Sequence, residues 1–375
     1  MIQPIIIFPY NNPFVKNNKK PVVLSGFSYI KYSKYLNNLI VITPYATNID
    51  DICNVKVVPK EFSCKAKYKY YVRNIIHNLN CSTIEVHQDL KLAGYLAKQF
   101  PHLKVSLIKH GEYLVNRFKE KIFFYKYYYQ TKYLKYLDKV FCISNYVKNT
   151  LSNKYIKYTN KFILLYNTYG HIQDIVNNDV FVNKNNQIIF VGKPIKAKGI
   201  VDLLKSIPMI LDKYQNYEII LIGGFFSKKY KYTKILQSFL SQKLYQDYLI
   251  HNKLQIYSNL SSTQVFNYLA KAKIATVLTK KPEPFGLVAL EYHLAKCAVI
   301  SSGTGGLQEI SYNNALYLQK VSATNIFNSI SHIINNYENT YLLLSNNGYN
   351  YVKEKFNILN LIKIIDDYRY NYEKL

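Results

Sequence analysis

Three things are scarce in this chain of 375 residues: long apolar runs, paired cysteines and acidic side chains. No stretch reaches the ~18 consecutive apolar residues that a membrane-spanning helix requires. The opening residues, Met1 to Phe8, carry neither a basic leader nor a small-residue cleavage site, so they read as a buried strand and not as a secretory signal. The five cysteines (Cys53, Cys64, Cys81, Cys142 and Cys297) are odd in number, scattered, and never in a Cys-x-x-Cys pair. That argues against a disulfide framework or a metal site and for a reducing compartment. The expected location is the cytoplasm, with a peripheral position on the inner membrane face as its variant. Asp and Glu number 22 against 49 Lys and Arg, a formal net charge of +27. Such an excess suits an anionic partner, whether nucleic acid, membrane face or phosphorylated substrate. Lys, Asn, Ile, Tyr and Phe are all plentiful and all encoded by AT-rich codons, so coding bias competes as the explanation. Charge alone decides nothing.

What is present is enough for a folded protein of two domains. The chain is longer than one core usually supports, and 49% hydrophobic with 19% charged residues can bury a core. Residues 1–175 read as strands at Ile5–Phe8, Pro21–Leu24, Leu39–Thr43, Thr83–His87, Val105–Ile108, Lys139–Ser144 and Phe162–Tyr166. Helical patterns lie between several of them, at Tyr29–Asn37, Tyr68–Asn78, Leu90–Gln99, Tyr113–Tyr136 and Asn145–Lys154. Alternation of this kind predicts an α/β domain built on a parallel sheet, with ligands at the carboxyl ends of its strands. His110-Gly111-Glu112 follows one predicted strand and so stands where a site residue would.

The stretch Arg117–Lys139 carries seven Lys or Arg against two acids, interleaved with aromatics. As a helix it would suit an anionic membrane surface, with lysines snorkelling and tyrosines at the interface. A helix with one buried aromatic face and one solvated basic face explains it equally. Nucleic acid is disfavoured, because no RNP, zinc or helix-turn-helix pattern accompanies the basic residues.

The polar, turn-rich Asn167–Asn186 reads as an interdomain linker. A second alternating series follows. A buried strand, Gln187–Gly192, runs into a basic loop with Lys193 and Lys198, and then a helix through Leu203, Leu204, Ile207 and Ile210. Strand, basic loop and helix start together form a phosphate-binding arrangement. Further strands are expected at Glu218–Ile222, Leu254–Tyr257 and Ile274–Thr279, with helices at Tyr232–Tyr248, Thr263–Ala270 and, last, Ile358–Tyr372.

The chain is organised around Pro282-Glu283-Pro284-Phe285-Gly286-Leu287-Val288-Ala289-Leu290-Glu291, followed by Ser301-Ser302-Gly303-Thr304-Gly305-Gly306-Leu307-Gln308-Glu309. Glu283 is expected on a loop, with a turn at Pro284-Phe285-Gly286 and a helix from Leu287 that places Glu291 about one turn in. The amides of Phe285, Gly286 and Leu287 would then offer an anion site. A helix start beside two carboxylates suits a ligand with both phosphate and hydroxyl groups, such as a nucleotide sugar.

These residues resemble the Glu-x7-Glu signature of family 4 glycosyltransferases, which are retaining enzymes of the GT-B fold. The resemblance covers the C-terminal half strongly and the N-terminal half weakly. It implies two Rossmann-like domains facing each other across a cleft: an acceptor-side domain over 1–175, a donor domain over 176–357, and a helix over 358–375 crossing back to the first. The activity implied is transfer of a sugar from a nucleotide-diphosphate sugar to a glycan or lipid-linked acceptor, in surface polysaccharide or lipopolysaccharide synthesis. Gly192, Lys193, Lys198, Phe285, Gly286 and Leu287 would hold the diphosphate. Glu283 would contact the sugar hydroxyls and Glu291 the ribose, with Ile256 and Thr279 near the base. His110 would face the sugar and Glu112 the acceptor.

No cofactor and no metal is expected, in keeping with the missing Asp-x-Asp. Lys193 stands where relatives carry Arg, and Tyr10-Asn11-Asn12-Pro13 where many have a Gly-Gly loop, so the acceptor contacts do not carry over. Two rivals remain: a non-catalytic GT-B protein that binds a nucleotide sugar, and a basic protein that binds membrane or nucleic acid.

Overall fold

The computed structural model describes residues 3–15, 20–111, 131–177, 183–224 and 233–370. The chain divides into two compact units, Met1–His171 with Phe356–Leu375, and Ile172–Lys355. Glu112 and most of the basic aromatic stretch, residues 117–130, lie outside the described residues. Of that stretch, Leu134 and Leu137 are buried and Tyr136 is exposed. Among the described residues, no helix is long and apolar enough to cross a membrane.

The first unit is built on seven strands: β1 (Gln3–Ile7), β2 (Ile40–Pro44), β3 (Asn54–Val58), β4 (Cys81–His87), β5 (Lys104–Lys109), β6 (Val140–Cys142) and β7 (Phe162–Leu164). They pair in the order β3-β2-β1-β4-β5-β6-β7, and every pairing is parallel. Parallel strands are covered on both faces, so their sequence runs apolar without alternation. Ile5, Ile6 and Ile7 of β1 and Ile84 and Val86 of β4 are accordingly buried.

Pro21–Leu24 is not a strand. It opens the helix Pro21–Lys31, with proline in the first turn, where its missing N–H removes no bond and its fixed φ already suits the helix. The following candidate, Tyr29–Asn37, is the end of that helix and a short 3-10 turn at Leu36–Asn38. The edge strand β3 is exposed or half-buried as far as Val57 and buried only at Val58, and Asn54 and Lys56 interrupt the apolar run that would have marked it.

The C-terminal helix Ile358–Tyr370 belongs to this first unit. Its Arg369 is fully buried and forks onto Glu85 of β4, Nε to Oε1 at 2.5 Å and Nη2 to Oε2 at 3.0 Å. Nη1 also donates to Asp366 at 2.8 Å and to Ser33 at 3.1 Å.

The second unit carries β8 (Asn185–Val191), β9 (Glu218–Ile222), β10 (Leu254–Tyr257), β11 (Ala272–Val277), β12 (Ala298–Ser301) and β13 (Ala315–Tyr317). Their order is β10-β9-β8-β11-β12-β13, again all parallel. Chain progression reverses between β8 and β11. In such sheets the crevice outside the carboxyl ends at that reversal is where ligands bind. Instead of one helix over Tyr232–Tyr248 there are two, Thr233–Leu240 and Lys243–Ile250, separated where Gln242 takes an extended ψ of 139°.

Candidate functional site

Two loops leave the sheet at the reversal point of the second unit, one after β8 and one after β11. The first passes through Gly192, whose N–H donates to the Ile222 carbonyl at 2.9 Å, and exposed Lys193, to a 3-10 turn at Lys196–Lys198. Gly199 follows, and a Cβ there would meet the Leu278 carbonyl oxygen at 2.2 Å. The loops therefore touch backbone to backbone. They are also stitched: the Lys280 N–H donates to the Ala197 carbonyl at 2.8 Å, and the buried Thr279 hydroxyl lies 3.2 Å from that carbonyl and 2.9 Å from that of Lys281.

Two ion pairs bridge the same loops. Lys280 Nζ meets Asp202 at 2.6 Å, and Lys198 Nζ meets the Glu283 carboxylate. The side chains of Lys198 and Glu283 are 34% and 24% exposed, which leaves the pair within reach of a ligand.

A third loop, after β12, sets the backbone of Glu283. The Glu283 N–H donates to the Thr304 carbonyl at 3.2 Å, and the Gly306 N–H donates back to the Glu283 carbonyl at 2.7 Å. Gly305 has φ of +66°, and a Cβ on it would stand 2.5 Å from the Glu283 carbonyl oxygen. Only glycine accepts both the left-handed backbone and the approach. Gly305→Ala is therefore expected to displace Glu283 and to slow any reaction that depends on this carboxylate by about 100-fold, the scale that a misplacement near 1 Å can cost. Steady-state kinetics beside a melting curve checks this, because turnover should fall much further than stability.

Beyond Glu283 the chain turns through buried Phe285 and through Gly286, at φ +109°, into the helix Leu287–Leu294. Gly286 provides no side-chain cap, and the first-turn amides Leu287 and Val288 have no preceding turn to bond to. Glu291 sits one turn in and is partly buried. Its neighbour Tyr292 is fully buried, and its hydroxyl accepts the Val191 N–H at 2.7 Å, which fixes this helix against the end of β8. Burial holds that phenol well above its ordinary pKa, so it stays neutral.

Of the nominated residues, Gly192, Lys193 and Lys198 lie on the loop after β8, Glu283, Phe285 and Gly286 on the loop after β11, and Leu287 and Glu291 on the helix that follows it. Ile256 sits half-buried in β10, packed on the core of the unit. The Thr279 hydroxyl is engaged between two loop carbonyls. Asp202, Lys280 and Tyr292 were not foreseen, since nothing in their spacing marks them.

His110 belongs to the other unit. It directly follows β5, and its backbone N–H donates to Gln88 Oε1 at 3.0 Å. Its ring lies against His87, Nε2 to Nδ1 at 3.0 Å. Burial, then His87 and Lys109, hold its pKa well below the usual imidazole value. His110 is thus neutral at physiological pH.

Residues 172–351 match the family model for glycosyl transferases group 1. An uncharacterized glycosyltransferase of Methanocaldococcus jannaschii, MJ1178, is 27% identical over 298 residues, covering 75% of this chain and 73% of that protein. A crystal structure of a glycosyltransferase from Rickettsia africae superposes with a TM-score of 0.74 at 17% identity, covering 100% of this chain and 99% of the other. The Anabaena protein HepE in complex with UDP-glucose gives a TM-score of 0.71 at 14% identity, covering 97% and 98%. The two parallel sheets and these structural neighbours show a two-domain α/β fold of the GT-B type, and residues 172–351 of it are similar to glycosyl transferases group 1.

Proposed function

We propose that the protein is a retaining, metal-independent glycosyltransferase of the Glu-x7-Glu family 4 type. It moves a sugar from a nucleotide-diphosphate sugar to a glycan or lipid-linked acceptor, in surface polysaccharide or lipopolysaccharide synthesis. The observation that carries the reading is the Lys198–Glu283 pair at the strand reversal, beside the uncapped helix start at Leu287. The UDP-glucose complex of the Anabaena protein supports a donor of this class.

In the reaction the bond from the anomeric carbon to the diphosphate oxygen breaks, the acceptor hydroxyl oxygen forms the new bond, and the hydroxyl proton passes to the departing diphosphate. The work is mainly electrostatic: stabilising a departing diphosphate and an oxocarbenium-like carbon. Lys193, Lys198 and the helix-start amides take up the departing charge. Glu283 holds sugar hydroxyls and Glu291 the ribose, while His110 is assigned to the sugar. Lysine at position 193 gives charge without the bidentate fork of arginine.

The test is nucleotide release from UDP-, GDP- and ADP-sugars with EDTA present, on the wild type and Glu283→Ala. Turnover of one donor in EDTA, collapsing in the variant, is the expected result. No release and no binding with any donor would sink the reading, and turnover only after added divalent cation would remove its metal-free part.

A further inference from the structure

The carboxyl ends of β4 and β5 bring two imidazoles together nitrogen to nitrogen, and behind them a stack of rings continues into the core. Phe14 and Phe8 stack with centroids 5.1 Å apart and planes at 24°. Phe8 and His87 follow at 4.8 Å and 17°, then His87 and His110 at 5.2 Å and 17°. The helix Pro21–Lys31 presses Gly26 onto this column, where a Cβ would stand 2.5 Å from Phe8 and 3.1 Å from His87. His87 therefore has no room to turn.

The main chain is held as firmly. Gln88 takes a left-handed φ of 63°, unusual for a side chain of its size. In that conformation its amide donates to the Ile108 carbonyl at 2.9 Å while its side chain accepts the His110 N–H. Strained backbone of this kind clusters at functional sites. On the far side of the ring, Nδ1 of His110 is buried and, among the described residues, has no hydrogen-bond partner.

We propose that His87 is a positioning residue for sugar transfer: its Nδ1 accepts the Nε2–H of His110, which fixes the tautomer and ring plane and leaves the bare Nδ1 of His110 to accept a hydroxyl of the sugar. This rests on the reading of His110 as a donor-sugar contact. Both rings are neutral, since burial takes His87 down to about 3 and His110 well below its ordinary value. One proton is thus shared across the 3.0 Å gap, and the bond one nitrogen makes decides the state of the other. The opposite assignment would leave a buried N–H without an acceptor, the rarer and costlier orphan. With the proton on Nε2, the vacancy at Nδ1 is an acceptor that a substrate hydroxyl fills.

The experiment uses the full chain labelled with 15N-histidine, in the wild type, His87→Phe and His87→Asn. Phenylalanine keeps the stacked ring and loses the bond; asparagine loses the ring and returns an acceptor oxygen near the position of Nδ1. Long-range proton–nitrogen spectra read the His110 tautomer without any ligand. The wild type is expected to be bare at Nδ1 and His87→Phe to show mixed tautomers. Donor turnover in His87→Phe should lose about 10–100-fold in kcat, the scale of an outer-shell orienting bond, and His87→Asn should recover most of it. KM for the donor should stay within about 2-fold, as for an interaction realised in the transition state.

An unchanged tautomer and kcat in His87→Phe overturn the proposal. So does a joint fall of both variants in step with their melting temperatures, which would mark a purely structural role. A wild type that neither binds nor turns over any nucleotide sugar overturns the donor-site reading and this role with it. The tautomer spectrum distinguishes that case, because it needs no donor.

Discussion

Lys198→Ala is expected to lower donor turnover by about 10²–10³-fold, the cost of removing one preorganised charge from a site where negative charge develops. It should also weaken nucleoside-diphosphate binding. Glu283→Ala is expected to lower turnover by a similar factor and to leave diphosphate binding intact or tighter. The difference follows from their ion pair. In the free protein the ammonium is already engaged by the carboxylate, so a diphosphate must compete for it. Deleting the carboxylate releases the cation, whereas deleting the cation removes the diphosphate's partner. Calorimetry with UDP, GDP and ADP on the two variants separates these effects from the loss of kcat. Equal weakening of diphosphate binding in both would contradict the assigned roles.

Arg369→Leu is expected to be the most destabilising single change in the first unit. The guanidinium and the Glu85 carboxylate are both fully buried, so the variant leaves a charge in the core with no counter-charge from the helix. Breaking a buried pair from one side costs about 3–5 kcal/mol. For a unit of this size that corresponds to a melting shift of roughly 6–20 °C. The double variant Glu85→Leu with Arg369→Leu should recover a large part of the loss, because two apolar groups satisfy a core better than one orphaned charge. Thermal denaturation of the three proteins checks this, and a double variant no better than the single would show that the fork itself carries the stability.

The sheets were legible because parallel strands announce themselves as unbroken apolar runs, as at Ile5–Ile7 and Ile219–Ile222. Short or half-polar strands gave no such signal, and β3, β12 and β13 went unmarked. Val22, Val23 and Leu24 imitate a strand until Pro21 is recognised as a helix-opening residue. In the candidate site, the charged residues and the helix start at the strand reversal could be found from motif and spacing. Those that hold them could not. Lys280 reaches Asp202 across 78 positions, and His87 reaches His110 across 23, and neither separation has a period that a local pattern could detect. Thr279 shows the converse: its place after β11 nominated it, and its hydroxyl is spent between the Ala197 and Lys281 carbonyls.

The Arg369–Glu85 fork also has a consequence for the order of events on the ribosome. The second unit is one continuous segment, Ile172–Lys355, and can close its core as soon as that segment has emerged. The first unit begins earlier but includes Phe356–Leu375. Until those residues are made, Glu85 waits in β4 without its partner, and the surface that the last helix covers stays open. The half synthesised first is therefore the half completed last, and in pulse-labelled nascent chains protease resistance should appear in Ile172–Lys355 before it appears in Met1–His171.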